Sequence, residues 1–502
     1  NFTVCKGENP MKRRISFILA LLMLAGSMSC GSDSGDKTQD TTAGDTTTSG
    51  ETTAEEVLTD GVPDIDMDGF VFSVFHNNPT QMTWTNLTLD VAEPNGEVLN
   101  DAIYNRNRKI EDRFNCKIET TEFTEFQIGA KEISQEVMAG ESNYDVWFPR
   151  DYNIPASIPY LRPLNDLPYV NLDADWWFPN ASDVFRFNGV QYGATSYFSL
   201  SQVSRAAALD FNKDIYETIG AEKTPYEYVR DNEWTLDTFA SVAKLGYSDL
   251  NGNAQIDEGD RFGMGSGWRE VYMRYILGSG VNFISRDDNG YPVFDLPSNQ
   301  GAIDKMLHIF DLFNDKQIYN NPSKSDPDSV AYGTFQEGNV LFVIGHPFNM
   351  SVTYRELDAN IGFVPCPKYD SEQERYYSPT YAGEMMAILK TLPDERLENV
   401  SAILEALSFS GMHDVLPIYR EVTMKGKSAR DLESEEMFDI VLDSMSFDFG
   451  LIAWEGDVVN PIIMGIYASG NGDVVSTFAK LSNKINGVVD KLVESIEEEQ
   501  AS

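Results

Sequence analysis

The chain has 502 residues, of which 42% are hydrophobic, and its 38 Lys and Arg residues face 79 Asp and Glu residues. A chain of this length is too long for one small domain and can bury large cores. Its formal net charge of -41 would repel phosphate backbones, which argues against nucleic acid as a partner. We attribute this charge to solubility in a secreted protein; attraction of a cationic ligand is the alternative.

The four cysteines do not form a disulfide framework. They stand at Cys5, Cys30, Cys116 and Cys366, and processing at Cys30 would leave only the last two as thiols. Cys116 and Cys366 each lie in an apolar run, which favours two separate buried thiols over a bridge. Their spacing fits no metal-binding pattern.

Residues 11–29 have the pattern of a signal peptide. Lys12 to Arg14 supply positive charge, residues 15–26 form an apolar core of 12 residues, and small side chains precede Cys30. Such a core is too short to span a bilayer. Residues 1–10 precede Met11, and their Lys-Gly-Glu segment can be encoded by a ribosome-binding site, so we interpret them as upstream, non-native translation.

The end of this segment resembles a lipoprotein signal peptide, which implies lipidation of Cys30 after cleavage. Such peptides usually carry Leu three positions before the cysteine, where this chain has Ser27. Ordinary cleavage near Ser29 would instead give a free secreted protein. Residues 30–64 begin with a Ser-, Thr- and Gly-rich run that is predicted to act as a disordered tether. We therefore expect a lipid-anchored protein on the extracellular face of a bacterial cytoplasmic membrane.

Strand and helix patterns alternate after the tether. Phe-Val alternation at residues 69–75 predicts a strand, and helical periodicity follows at 97–114. The pattern continues with a strand at 116–119, a helix at 125–139 and a strand at 144–148. This alternation predicts a parallel sheet with covering helices.

The later segments predict a second α/β unit. The expected strands and helices are the strands at 206–211, 340–344, 361–365 and 385–389, and the helices at 235–245, 300–314, 397–409 and 474–498.

Six segments carry a family resemblance in their order and spacing. These are residues 189–196, 207–214 (AALDFNKD), 234–239 (WTLDTF), 335–342 (FQEGNVLF), 361–368 (IGFVPCPK) and 381–389. Over residues 69–498 the chain resembles the extracellular solute-binding proteins of ABC importers, specifically the family 1 group that includes maltose- and multiple-sugar-binding proteins.

The resemblance implies a periplasmic-binding-protein type II fold, in which two α/β lobes are joined by three crossovers and close around a ligand. Lobe one would hold residues 65–205 plus 385–420, and lobe two 206–383 plus 425–500. Hinges are expected near residues 203–208, 380–387 and 415–428. The implied protein is a monomeric receptor that captures a carbohydrate and delivers it to the transmembrane subunits of an ABC permease, with no enzymatic activity.

Ligand contacts are expected in loops at the carboxyl ends of strands. A sugar site needs flat aromatic rings and short polar groups, because sugars present both apolar faces and hydroxyls. By resemblance, the loop after the 144–148 strand supplies a sugar-contacting acid, Asp151. The candidates after the first and third strands are Asn77, Asn78, Trp84, Arg150, Asp151 and Tyr152.

Further candidates lie in the second half of the chain. By resemblance, His346 and Phe348 match the family's Gly-Pro-Trp position, and Trp454 with Glu455 match a late aromatic that stacks on sugars. Core packing is the alternative role for each aromatic residue. The remaining candidates are Trp268, Arg269, Tyr381 and Glu384, the last two in a crossover.

Residues 249–260 (DLNGNAQIDEGD) have the spacing of a calcium loop. Positions 1, 3, 5, 7, 9 and 12 hold Asp249, Asn251, Asn253, Gln255, Asp257 and Asp260. Two departures are Ala254 in place of Gly at position 6 and Asp260 in place of Glu at position 12. The sequence predicts a structural Ca²⁺ away from the cleft; a solvated polar loop is the alternative.

Two other functions remain open at this stage. A secreted glycosidase would need a pair of carboxyls, for which Asp145, Asp151 and Glu384 are available. A peptide or amino-acid receptor would share the fold and pair its charged ligand with Arg150, Arg205 or Arg269. No nucleophile, zinc or phosphate-loop motif accompanies the carboxyls.

Overall fold

The computed structural model describes residues 58–501 except 79–88, 126, 179–181, 321–331, 356, 358, 425–431 and 470–471. The predicted signal peptide, Cys30, most of the tether and Trp84 lie outside the described residues. The described part of the chain is mixed α/β.

A three-stranded parallel sheet, the first sheet, organises the N-terminal part. The elements up to residue 205 are β1 (Phe70–His76), α1 (Val98–Phe114), β2 (Cys116–Glu122), α2 (Ala130–Met138), β3 (Val146–Phe148), α3 (Ile154–Ser157), β4 (Arg186–Phe187), β5 (Val190–Gln191) and α4 (Ser201–Ser204). The strand order β2-β1-β3 is parallel throughout, so the predicted parallel sheet is confirmed.

Strand β1 lies at the centre of this sheet because it pairs with both β2 and β3. Phe72 and Val74 are fully buried on one face of β1 and join a core that contains Phe114 and Ile118. Helix α1 ends at Asn115, whose left-handed backbone (φ 48°) turns the chain directly into β2.

A four-stranded sheet, the second sheet, organises the middle of the chain. Its region contains β6 (Ala208–Asn212), α5 (Lys213–Tyr216), α6 (Pro225–Arg230), α7 (Leu236–Leu245), β7 (Phe262–Met264), α8 (Trp268–Gly278), β8 (Ser285–Arg286), β9 (Pro292–Val293), α9 (Gln300–Phe313), α10 (Tyr332–Gln336), β10 (Val340–Gly345), β11 (Ile361–Pro365) and β12 (Ser378–Pro379). The order is β11-β6-β10-β7, with β6 antiparallel to both neighbours.

Helices form the C-terminal part; the sequence predicted the first and the last of them, and the four between gave no sequence prediction. They are α11 (Leu397–Ser410), α12 (Leu416–Met424), α13 (Leu432–Asp443), α14 (Phe449–Trp454), α15 (Asn460–Ser469) and α16 (Val474–Ala501), with β13 (Met445–Ser446) between α13 and α14. Helix α11 packs against the first sheet and α13 against the second. Residues Phe449–Tyr467 are apolar and long enough to cross a membrane, but half of this segment is buried in the fold, as in a core helix.

The predicted strand at 385–389 is not a continuous strand. Its residues form isolated antiparallel bridges instead, between Ala387 and Trp147, Met386 and Ala194, and Leu389 and Leu161. These bridges return the chain to the first sheet without a regular ladder, because the segment pairs with three different parts of the chain. The chain thus passes between the sheets near residues 203–208, near 380–387 and again between α11 and α13.

Both remaining cysteines are free thiols, as the sequence predicted. Cys366 is buried directly after β11, and Cys116 is half-buried at the start of β2. Burial raises the pKa of both thiols, to about 12 for Cys366 and about 11 for Cys116. Neither side chain therefore has the character of a reactive thiolate.

Candidate functional site

A cavity of about 640 Å³ opens where the loop after β3, the crossovers, the start of α8 and the end of α14 meet. A cavity of this size suits a small ligand of several rings. It is lined by Arg150, Tyr152, Arg205, Arg269, Tyr381, Ala382, Ile452, Ala453, Trp454, Glu455, Gly456 and Asp457.

Arg150 and Tyr152 form the wall on the side of the first sheet. Strand β3 ends at Phe148, and the next residues turn into the cavity. The Arg150 guanidinium donates a hydrogen bond to the Tyr152 hydroxyl at 3.1 Å and lies 5.5 Å from the ring centre. The arginine is only 5% exposed, so its contacts hold the tyrosine ring in place.

Arg269, Trp454 and Glu455 form the wall on the side of the second sheet. Arg269 lies in the first turn of α8, and its guanidinium makes an ion pair with Glu455. Glu455 begins a π-helical turn, Glu455–Val459, between α14 and α15. Such turns are frequent at functional sites because the extra residue widens the helix and redirects side chains. Trp454 is half-buried and its indole contacts Phe449 edge to face at 5.4 Å.

Tyr381 stands at the floor of the cavity in the second crossover. Its hydroxyl donates to the Glu270 carboxylate at 3.2 Å, and the Arg274 guanidinium lies 5.0 Å from its ring centre. Arg205 lies over the same ring at 5.9 Å. Burial alone would raise the pKa of Glu270, but Arg274, Arg269 and Arg205 lower it, so this carboxyl is ionised.

Asp151 and Glu384 belong to a second polar group, which we call the crossover network. Gln202 donates to one carboxylate oxygen of Asp151 at 3.0 Å, and the Ala382 amide donates to the other at 3.0 Å. Glu384 accepts from the side chain of Asn77 at 3.1 Å. The hydroxyls of Ser199, Ser201 and Thr380 also take part in the crossover network.

The crossover network is buried and its carboxyls are held by neutral groups. Asp151 is fully buried and Glu384 is 5% exposed. Burial raises the pKa of Asp151 to about 6 and that of Glu384 to about 7, although hydrogen bonds to both carboxyls and the charge of Arg150 act in the opposite direction. Asp151 therefore joins the loop after β3 to both crossovers and is not one of the residues that line the cavity.

The other candidates lie in the interior or beside the cavity. The side chain of Asn77 is 1% exposed and donates to the Phe148 carbonyl at 2.8 Å. Trp268 is 3% exposed and stacks on Tyr467 at 5.1 Å. His346 is 4% exposed, and burial holds its pKa well below the usual range. Asn78 and Phe348 are half-buried and do not line this cavity.

The structure thus brings six predicted residues together. These are Arg150, Tyr152, Arg269, Tyr381, Trp454 and Glu455. The lining residues that were absent from the predicted set are Arg205, Ala382, Ile452, Ala453, Gly456 and Asp457. Arg205 was named only as a partner for a charged ligand, and its place within the predicted hinge at residues 203–208 was the signal that could have included it.

The carboxyls proposed for a glycosidase do not meet in the cavity. Asp145 is 1% exposed and accepts from Arg396 at 2.8 Å and from the Ser73 amide at 2.8 Å. Asp151 and Glu384 are tied into the crossover network. In the described part of the chain, these three acids lie outside the cavity lining.

The loop at residues 249–260 turns at Ala254 and is held by its own side chains. Ala254, at the position of the usual glycine, has the left-handed conformation (φ 58°) that the turn requires. Asp249 accepts from the amides of Gly252 at 2.6 Å and Ala254 at 2.8 Å. Asp260 is 2% exposed, and one of its carboxylate oxygens has no hydrogen-bond partner.

The donor set of this loop relies on amide oxygens as well as carboxylates. Among the described residues, no three His, Cys, Asp or Glu side chains converge as a metal cluster. The side-chain oxygens of Asn251 and Asn253 accept from loop amides at 3.0 Å and 2.7 Å. A hard cation accepts carboxylate, amide and backbone oxygens alike, so these residues fit Ca²⁺ better than a softer metal.

The solved structures that resemble this chain share one fold. No family model matches the sequence, and no curated protein does. The structure is similar to M. tuberculosis UspC, with a TM-score of 0.55 and 18% identity, covering 83% of this chain and 100% of that chain. It is also similar to a cyclo/maltodextrin-binding protein complexed with maltotetraose, with a TM-score of 0.54 and 15% identity over 85% of this chain and 96% of that chain.

A third similar structure comes from Bifidobacterium longum. It is the galacto-N-biose/lacto-N-biose I-binding protein of an ABC transporter, in complex with lacto-N-biose, with a TM-score of 0.52 and 12% identity over 85% of this chain and 98% of that chain. These neighbours are two-lobed sugar-binding proteins of the periplasmic-binding-protein type. The fold predicted from the sequence resemblance is therefore confirmed.

Proposed function

We propose that this protein is the substrate-binding lipoprotein of an ABC importer, which captures an oligosaccharide between two lobes and delivers it to a membrane permease. The observation that carries the proposal is the cavity between the two sheets, with the aromatic rings of Tyr152, Tyr381 and Trp454 in its lining. Aromatic faces stack on the apolar faces of sugar rings, and guanidiniums and carboxylates bond the hydroxyls. The fold of the similar structures supports the same function.

The binding step is tested by titrating a panel of oligosaccharides, amino acids and peptides in a thermal-shift assay. We expect an oligosaccharide to raise the melting temperature and to be recovered unchanged. Stabilisation by peptides alone would favour a peptide receptor, and release of shorter sugars would favour a glycosidase.

Trp454→Ala tests whether this one side chain contributes to oligosaccharide affinity. Removal of a half-buried aromatic ring from the cavity wall should weaken oligosaccharide binding about tenfold, on the order of 1.4 kcal/mol. Calorimetry on the wild type and the variant measures the loss. Tyr228→Ala is a matched control, because that half-buried ring packs on Trp234, outside the cavity lining, and unchanged sugar affinity is expected.

The anchor is a separate part of the proposal. Lipidation of Cys30 would place the receptor at the extracellular face of the cytoplasmic membrane, near its permease. Cys30→Ala should move the protein from the membrane fraction to the soluble secreted fraction. An unchanged distribution would contradict lipidation at Cys30 and leave the binding function standing.

We also propose a structural Ca²⁺ in the loop at residues 249–260. The left-handed backbone of Ala254 and the buried carboxylate of Asp260 support it. Calcium added after chelation should raise the melting temperature of the wild type and have no effect on Asp260→Ala. Absence of heat and of a thermal shift on the wild type would contradict the proposal.

A further inference from the structure

Two buried carboxyls connect the segments through which the chain passes between the sheets. Asp151 is fully buried in the loop after β3, and Glu384 is 5% exposed in the second crossover. The side-chain amide of Gln202, next to the first crossover, donates to Asp151 at 3.0 Å and accepts from the Thr380 hydroxyl at 3.1 Å. These side chains therefore join one loop of the first sheet to both crossovers.

The backbone joins the same segments. Arg150 and Glu384 form an antiparallel bridge, beside which the Asp151 amide donates to the Gly383 carbonyl at 3.0 Å. A Cβ at Gly383 would lie 2.5 Å from the side chain of Gln202, so the second crossover packs directly on that side chain. At such packing the loop and the crossover cannot shift independently.

Glu384 extends the crossover network to the end of β1. Its carboxyl accepts from the backbone amide of Asn77 at 3.2 Å and from the side chain of Asn77 at 3.1 Å. Its own backbone amide donates to the Ser201 hydroxyl at 2.8 Å, and the Ser199 hydroxyl donates to the carboxyl at 3.4 Å. Two carboxyls thus hold the ends of two strands of the first sheet and both crossovers in one arrangement.

Residues that line the cavity are close neighbours of these carboxyls in the chain. Arg150 and Tyr152 flank Asp151, and Tyr381 lies three residues before Glu384. Neither carboxyl is itself among the lining residues. A binding site keeps its geometry only when the groups behind it fix the side chains in front. Displacement of either carboxyl from its donors would therefore shift the cavity wall.

We propose that Asp151 and Glu384 are positioning residues for ligand capture. Without touching the ligand, they hold the loop after β3 against both crossovers, in the arrangement that brings the cavity walls together. Two-lobed receptors close by bending at such crossovers, so a network across them sets the balance between conformations. The inference rests on the proposed function and goes beyond it, because it assigns part of the ligand affinity to residues outside the lining.

The pKa of Glu384 gives this positioning role a pH dependence. Burial raises it to about 7, whereas glutamate in water titrates near 4. A conformation that exposes the carboxyl to water binds the proton less tightly than the buried arrangement does. A rise in pH therefore favours exposure over the arrangement that assembles the cavity, and ligand affinity falls as the pH rises through 7.

Other charged groups near the crossover network do not account for this pH dependence. Arg150 lowers the pKa of both carboxyls and keeps its charge across this range. Burial lowers the pKa of His76, at the end of β1, to about 4, so its ring stays neutral above pH 5. The other titratable groups on the segments packed here are Tyr152 after β3, Arg205 beside the first crossover, Tyr381 in the second, and Glu455, which pairs with Arg269 at the end of α14.

The first test measures ligand affinity against pH on the full chain. Calorimetric titrations use maltotetraose and lacto-N-biose, the ligands of two similar structures, at about pH 6, 7 and 8. We expect the wild-type Kd to rise at least about threefold from the lowest to the highest pH. Glu384→Gln keeps a neutral side chain throughout, so its Kd at pH 8 should equal that of the wild type at pH 6.

Glu405→Gln is the matched control for this pH profile. Glu405 is fully buried on α11, where the indoles of Trp176 and Trp177 donate to its carboxyl at 2.8 and 2.7 Å. Burial raises its pKa as well, but it lies outside the cavity lining and the crossover network. Its variant should keep the wild-type pH profile of affinity even where it loses stability, so the profile separates positioning from general stability.

A double-mutant cycle tests whether Asp151 acts through Gln202. Asp151→Asn and Gln202→Ala should each weaken binding by about threefold or more, and the double variant should be no weaker than the worse single variant, because both remove one shared bond. Fully additive losses would mean that Asp151 contacts the ligand itself, which overturns its positioning role. Circular dichroism checks the folding of each variant.

The outcomes separate this inference from the proposed function. A flat wild-type profile, or one that Glu384→Gln leaves unchanged, overturns the inference while saccharide binding still supports the receptor function. If neither saccharide binds, hydrogen exchange of the ligand-free protein decides the inference. At pH 8, Glu384→Gln should slow amide exchange at residues 149–153 and 380–385 relative to the wild type and to Glu405→Gln; equal rates in all three would overturn it.

Discussion

Two glutamates in this molecule have pKa values that are shifted in opposite directions. Glu384, in the crossover network, has a pKa raised to about 7, because burial outweighs its bonds to Asn77 and Ser199. Glu270, behind the cavity wall, has a lowered pKa, because Arg274, Arg269 and Arg205 outweigh the effect of burial. The same side chain thus binds its proton more tightly in the crossover network and less tightly beside the cavity wall.

The opposite pKa shifts indicate different roles for the crossover network and the cavity wall. A carboxyl held by amides and hydroxyls fixes the geometry of the crossovers and costs stability when its partners are lost. A carboxylate held by arginines fixes the position of positive charge beside the cavity. Polar residues that stand close together in the sequence, such as Arg150 and Asp151, are divided between these two roles.

The largest expected effect is a difference in unfolding free energy between a variant of the crossover network and a variant of the cavity wall. Asp151→Ala leaves Gln202 and the Ala382 amide without their buried acceptor, so we expect the free energy of unfolding to fall by about 2–4 kcal/mol. Asp457→Ala, an aspartate at the cavity wall in an exposed ion pair with Lys484, should change it by less than about 0.5 kcal/mol. Urea denaturation measures both. Equal losses of unfolding free energy in the two variants would contradict the different roles assigned to the crossover network and the cavity wall.

The pH dependence of stability gives the second test. Glu384 binds a proton more tightly in the folded chain, with a pKa of about 7, than in the unfolded chain, where glutamate titrates near 4. Its contribution is therefore present at low pH and is lost as the pH rises through 7. We expect Glu384→Gln to reduce the fall in unfolding free energy between pH 5 and 8 by on the order of 2 kcal/mol.

Glu270→Gln is the matched control for this measurement. A carboxyl with a lowered pKa contributes stability that persists above its unfolded pKa and is lost only in acid. The variant should therefore leave the slope between pH 5 and 8 unchanged. A slope that responds to Glu270→Gln and ignores Glu384→Gln would reverse the assignment of the two regions.

The smallest expected effect concerns Ala382, which belongs to both regions. It lines the cavity, its amide binds Asp151, and its backbone is left-handed (φ 62°). The left-handed backbone costs an alanine about 1 kcal/mol, and Ala382→Gly should remove this cost. Part of the gain in unfolding free energy should be lost, because glycine raises the conformational entropy of the unfolded chain. We expect a net gain of about 0.5 kcal/mol by denaturant titration; a loss would show that the alanine side chain contributes packing at the crossover.

Much of the fold was predictable from local patterns. Periodicity located β1, α1, α11 and β11 to within one or two residues, because one apolar face recurs at the spacing of a strand or helix. The segment at 385–389 was apolar enough to predict a strand, yet it forms only isolated bridges. Strand pairing depends on the partners available, and three separate segments meet this one.

The site was predictable only in part, for the same reason. Loop position selected Arg150 and Tyr152, because residues that follow strands converge at one edge, and the family resemblance selected Trp454; all three line the cavity. It could not show that Trp268 stacks on Tyr467 or that Asp151 turns to Gln202. Those contacts depend on residues far away in the sequence, whose positions local propensity does not encode.

The sequence by itself determined three things. They are the alternation of strands and helices, the spacing of the Asp, Asn and Gln residues around Ala254, and the resemblance that predicted a two-lobed fold. Only the tertiary structure decided which polar groups share a wall. Arg205, Arg269 and Arg274 meet around Glu270 because a crossover and α8 converge there, and Coulomb interactions follow distance in space. The grouping of Arg150, Arg205 and Arg269 around one cavity is thus a property of the fold, in a chain whose composition is strongly acidic.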